Sequence, residues 1–203
     1  MSSSSKPRVI RKHKPKKVYT KNTYQKARPL LLEDFENRCA YSLMHIEQMH
    51  PKSMHVDHHN PHKKRKCGYD NLFPSFGPCN MAKLDIWPSK GELAAGLRFL
   101  NPCTETDYGV EIFEDPKTQE LVGISPAAIY HIEVLDLNHP TLVKHRLERR
   151  KLVEMTRHPV IRRNSTRAGD ESTIAIVREL RAILAHKIPL IKAPPLAKSF
   201  DGQ

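Results

Sequence analysis

The chain alternates short apolar runs with polar, proline- and glycine-punctuated stretches, and the periods of those runs predict small elements. "LLLEDFEN" (30–37) repeats apolar positions at helical spacing and predicts a short amphipathic helix. "SMHVDH" (53–58) alternates and predicts a strand. The polar, basic stretch "HNPHKKRKCGYD" (59–70) predicts a loop, with Pro61 and Gly68 as breakers. "NLFPSF" (71–76) predicts a second strand, which Pro74 confines to a sheet edge or ends. "GPCNMAKLDIW" (77–87) opens on a turn signal and runs in helical fashion to Pro88. Ser89 and Glu92 form a capping-box pattern ahead of another helix, "SKGELAAGLRFL".

The second half reads differently. "GVEIFEDPKTQELVGIS" (109–125) is two strand-like runs around Asp115-Pro116-Lys117-Thr118, a β-hairpin pattern. Residues 125–158 predict at least one helix, with His139-Pro140 opening a basic helix to Arg157. "DESTIAIVRELRAILAHK" (170–187) has acids first and His186 and Lys187 last, the charge order the helix dipole favours. The sum is an α+β protein in which a strand–loop–strand–helix unit is embedded in helices with an additional β-hairpin. Four segments follow: a basic flexible tail (1–29), a core (30–100), an α+β/helical extension packing on the core (101–187) and a Pro-rich tail (188–203).

Charge sharpens this picture. The net charge is +12, but residues 1–32 hold ten Lys or Arg and no acid, leaving 24 basic against 22 acidic residues elsewhere. Such a basic run, poor in apolar residues, is expected to stay flexible and to bind phosphates in a salt-sensitive, sequence-independent way. The partner this implies is DNA, with RNA left open. No run of eighteen apolar residues occurs, so no membrane span is expected and the cytoplasm is the expected compartment. Four cysteines without a secretory signal argue against structural disulfides.

The candidate chemistry lies between 55 and 85. "MHVDHHNP" packs His55, Asp57, His58 and His59 into eight positions, followed by His62. Asn71 stands thirteen positions after His58, and Asn80 nine after Asn71, in Cys-Asn-x-x-Lys-x-Asp. Asp57 and Asn80 offer the hard oxygen donors that Mg²⁺ prefers. A neutral His58 can accept a proton from water near pH 7. Lys83, Lys63, Lys64 and Arg65 are candidate phosphate contacts, although Lys83 reads equally well as a solvated helix residue and His59 and His62 as solvated loop residues. His55, on the same face as Asp57 in a regular strand, is a candidate extra ligand, with packing beside the site the favoured reading. Adjacent strand residues point to opposite faces, so Asp57 and His58 converge only if His58 ends its strand.

This pattern, over about 30 of the 203 residues, resembles the HNH endonucleases and their ββα-metal finger, in the His-Asn-Asn variant. The resemblance implies a metal-dependent phosphodiester hydrolase. His58 would be the general base, and Asp57 and Asn80 would hold one Mg²⁺ (or Mn²⁺). Asn71 would belong to the catalytic set by tying the loop to the second strand and holding His58 in place. Many HNH proteins also carry two Cys-x-x-Cys pairs for structural zinc. Here Ser42 replaces the second cysteine after Cys39, and Cys79 lacks a partner at that spacing, which argues against zinc and for buried apolar cysteines. "AAIYHIEVLDLNHPTLVKHR" (127–146) looks like a segment that follows the finger in HNH proteins of prokaryotic anti-phage systems. That implies a defence effector working with a regulatory or ATPase partner. The competing reading is a catalytically silent nucleic-acid-binding or partner-docking subunit on an HNH-like finger.

Overall fold

The computed structural model describes residues 6–157. It is mixed helix and small antiparallel strand pairs. The elements are β1 (Tyr19–Thr20), α1 (Arg28–Asp34), β2 (Met54–His58), β3 (Lys66–Cys67), β4 (Leu72–Phe76), α2 (Gly77–Lys83), α3 (Lys90–Ala94), β5 (Ile112–Glu114), β6 (Leu121–Gly123), α4 (Pro126–Val134) and α5 (Pro140–Arg157). β1 pairs with β3, β2 with β4 and β5 with β6. The helix expected at 170–187 and the tail at 188–203 lie outside the described residues.

Two compact units divide the described residues: 6–113 with 121–138, and 114–120 with 139–157. Phe99, Leu100 and Ile112 all belong to the buried interior of the first unit.

In the first unit β2 and β4 run antiparallel in register, Met54 opposite Phe76, Val56 opposite Pro74 and His58 opposite Leu72. Pro74 is tolerated because its carbonyl points away from β2 and accepts from the Ala40 N–H at 2.8 Å. Its nitrogen shares that side, so no ladder bond is lost. Immediately after β4, Pro78 sits in the first turn of α2, where its missing N–H costs nothing. α2 stops at Lys83, short of the expected Trp87, because Leu84 takes a left-handed conformation (φ +45°) that breaks the helix. α3 keeps its capping box, Ser89 Oγ accepting from the Glu92 N–H while the Glu92 carboxylate accepts from the Ser89 N–H at 2.7 Å. It ends before Gly96 (φ +84°), and the chain then runs to the buried Phe99 and Leu100.

The N-terminal segment, expected as a flexible arm, is held against this unit. Arg8 makes a bidentate pair with the fully buried Asp107, at 2.5 and 2.9 Å, and donates to the Ala40 carbonyl. The Arg11 guanidinium donates to the carbonyls of Tyr69, Asp70 and Leu72 and lies near the Phe35, Tyr69 and Phe73 rings. Asp34 accepts from the Lys12 and His13 N–H groups and from the Tyr69 hydroxyl. The charges that suggested a solvated tail are thus partly structural. Arginine's planar fork satisfies several acceptors at once, and that offsets its burial. The lysines at 12, 14, 16 and 17 do stay exposed.

The histidine-rich stretch to His50 forms two 3-10 turns. The His45 and His50 rings cap them by accepting from the Glu47 and Lys52 N–H groups. In the other unit, Arg146 donates to the Gln119 carbonyl at 2.6 Å and Arg149 pairs with Glu114. No helix among the described residues is long and apolar enough to cross a membrane.

Candidate active site

β2 carries Asp57 and His58 to its C-terminal end, and α2 packs back on the same strand. Asp57 is buried. Its carboxylate accepts from the Tyr41 hydroxyl at 2.5 Å and from the Lys83 ammonium, 3.1 Å from Oδ2 and 3.3 Å from Oδ1. The same ammonium donates to the His58 carbonyl at 2.9 Å. Lys83 is fully buried and faces the Phe99 ring at 5.4 Å. It is therefore not the solvated helix residue weighed from the sequence. Its charge is engaged inside the fold, because an unpaired ammonium there would be very costly.

His58 is half-buried, its Nε2 shielded from solvent and without a hydrogen-bond partner. The Tyr24 ring lies against it with centroids 4.6 Å apart. Burial pushes the His58 pKa down, and the Lys83 and Lys64 charges push the same way against the opposing pull of Asp57. The imidazole is thus neutral at pH 7, the form a general base requires.

Asn71 stands at the end of a 3-10 turn just before β4. Its side chain clips the loop reciprocally: Oδ1 accepts from the Asn60 N–H at 2.8 Å and Nδ2 donates to the Asn60 carbonyl at 3.1 Å. Its own carbonyl accepts from the His59 N–H at 2.8 Å. Two residues after His58 are thereby fixed to the second strand of the pair.

Asn80 is the fourth residue of α2 and partly exposed, and its amide makes no hydrogen bond among the described residues. It lies one helical turn before Lys83, on the same face. Because Lys83 touches Asp57, that face turns toward the end of β2. His55 lies beside Gly77 at the start of α2, its Nε2 3.5 Å from where a side-chain carbon on Gly77 would sit.

Lys63, Lys64, Arg65 and His62 are exposed on the loop, with Lys64 ion-paired to Asp85 at 2.5 Å. His59, by contrast, is not a solvated loop residue. It is buried among Phe73, Trp87 and Phe99, with ring centroids at 4.8, 5.6 and 6.4 Å, and burial brings its pKa down to about 3.

Cys39, Cys67 and Cys79 are buried and all four cysteines are free thiols. Cys39 Sγ accepts from the N–H groups of Tyr41, Ser42 and Phe76 at 3.2–3.4 Å. Burial raises the Cys39 pKa, but hydrogen bonds from Cys79, from the Phe76 N–H and from Ser42 outweigh it and bring the thiol down to about 6. Among the described residues, no three His, Cys, Asp or Glu side chains gather as a metal site.

Sequence reasoning missed Tyr41 and Tyr24. Nothing in "RCAYS" or "KNTYQK" marks a tyrosine that meets Asp57 or His58, since those contacts span 16 and 34 positions. No family model, curated protein or solved structure matches the chain.

Proposed function

We propose that this chain is a metal-dependent endonuclease of the HNH type, hydrolysing phosphodiester bonds of DNA at the end of β2. The observation that carries the reading is the Lys83 ammonium of α2, which meets both the Asp57 carboxylate and the His58 carbonyl. It so fixes α2 at the end of β2 beside an acid and a neutral histidine, while Asn71 clips the loop that follows them.

His58 takes the proton of the attacking water. Its depressed pKa keeps it neutral, and the Tyr24 ring on one side fixes its orientation. Asn71 keeps the loop after His58 from drifting. Lys63 and Arg65, exposed on that loop, attract the phosphate backbone. The donor set fits a Mg²⁺ or Mn²⁺ ion. Asp57 keeps lone pairs beyond those used by Tyr41 and Lys83, and the Asn80 amide oxygen is uncommitted. Bound there, the ion would offset charge on the scissile phosphate and the departing oxygen.

Target choice falls to a protein partner in this proposal, which makes the chain the cutting subunit of a defence system. One observation favours the silent-scaffold reading instead: the Lys83 ion pair already neutralises Asp57. Incubating the protein with supercoiled plasmid and Mg²⁺ or Mn²⁺ separates the two, because only the nuclease nicks, and only with His58 in place.

A further inference from the structure

The ionic groups at the end of β2 cancel one another. Asp57 carries one negative charge, and Lys83 holds one positive charge within 3.1 and 3.3 Å of its two oxygens. On the adjoining loop, Lys64 is paired with Asp85. A divalent cation on either Asp57 oxygen therefore has the Lys83 ammonium as its neighbour. Lys83 cannot retreat to water, because it is fully buried and also anchored on the His58 carbonyl. Hard-cation affinity scales with the number of anionic oxygens, and here the protein's own net contribution is nil.

Resting on the nuclease reading above, we infer that Lys83 makes metal binding conditional on nucleic acid. The phosphates of the substrate supply the negative charge that the protein withholds, so cation and nucleic acid bind as a coupled pair. The coupling is reciprocal by thermodynamic necessity: nucleic acid tightens the metal as much as metal tightens nucleic acid. Lys83 is thus a positioning and affinity-setting residue, and without substrate the site holds its cation weakly.

The test titrates Mn²⁺ into the full chain and follows free Mn²⁺ by electron paramagnetic resonance, with and without a short DNA duplex. His58→Ala is carried in every sample to prevent cleavage. The expected result is Mn²⁺ binding about tenfold tighter or more with duplex than without it, a coupling of ordinary size. Lys83→Met should bind Mn²⁺ about as tightly without duplex as the parent does with it, and Lys83→Arg should keep the duplex dependence. Equal Mn²⁺ affinity with and without duplex in the parent overturns the inference while leaving the nuclease reading intact. No Mn²⁺ binding at Asp57 under either condition, judged by an Asp57→Asn control, removes both. Since the comparison with and without duplex needs no change at Lys83, the result stands even if Lys83→Met does not fold.

Discussion

Lys83 and Asp57, 26 positions apart in the chain, meet inside the protein, the ammonium lying 3.1 Å from one carboxylate oxygen and 3.3 Å from the other. The two side chains are 0% and 7% exposed. Each is the main compensation for the other's removal from water, and the pair also ties α2 to the end of β2.

Breaking that pair from one side should be costly. Lys83→Met leaves Asp57 buried without its counter-charge and is expected to lower stability by about 3–5 kcal/mol in urea unfolding. Replacing both, Asp57→Leu with Lys83→Met, should return much of that loss. A single variant as stable as the parent would mean the pair is not buried in solution.

Tyr41→Phe removes only the hydroxyl that donates to Asp57 at 2.5 Å. A hydrogen bond to a charged, buried acceptor contributes about 1.5–3 kcal/mol, and a loss of that size is expected in denaturant melts. A change within about 0.5 kcal/mol, typical of exposed positions, would contradict the contact.

His58 should titrate below its usual 6.5, since burial and the Lys83 and Lys64 charges depress it. The active form is the neutral ring, so cleavage rate should hold from neutral pH down to that depressed pKa and fall off beneath it. Lys64→Ala removes one of the depressing charges and should move the acid limb upward. A ring titration by NMR with its midpoint at or above 6.5 would contradict this environment.

His59 and the fully buried His131 of α4, whose Nδ1 accepts from the Leu100 N–H at 3.0 Å, predict acid lability of the fold itself. Burial lowers both to about 3, so the unfolded chain binds protons that the folded chain refuses. Stability contributed by their neutral burial is complete above pH 6.5 and is lost as pH falls from there toward 3. Melting temperatures measured from pH 7 to pH 4 should decline, and His59→Phe should flatten that decline. A flat profile in the parent would show that these rings are not sealed from solvent.

Much of this architecture was legible in the chain, because its signals are local. The alternation of "SMHVDH", the proline and glycine breakers of the loop and the Ser89–Glu92 box each act within a few residues, and β2, β4, α2 and α3 stand where they pointed. The spacing of Asp57, His58, Asn71 and Asn80 pointed to the same β2–loop–β4–α2 unit, in which Asn71 clips the loop after His58 and α2 meets Asp57 through Lys83. What stayed hidden depends on distant partners. Arg8 finds Asp107 across 99 positions, and Arg11 finds the carbonyls around Leu72 across about sixty, so a basic run that looks solvated is partly interior. Lys83 and His59 are buried for the same reason: Asp57 compensates the first, and Phe73, Trp87 and Phe99 enclose the second. The end of α2 was hidden too, since a left-handed leucine at 84 carries no sequence mark.

In the nuclease proposed above, His58 and the oxygens of Asp57 and Asn80 form a phosphodiesterase site. The most direct measurement is conversion of supercoiled plasmid by the purified chain with Mg²⁺ or Mn²⁺, alongside His58→Ala and Asn80→Ala, each shown to be folded. Metal-dependent nicking or linearisation is expected, falling about 100-fold or more in His58→Ala, the ordinary loss when a general base is removed. Undiminished cleavage by folded His58→Ala, or no cleavage by the parent with either metal, would contradict it.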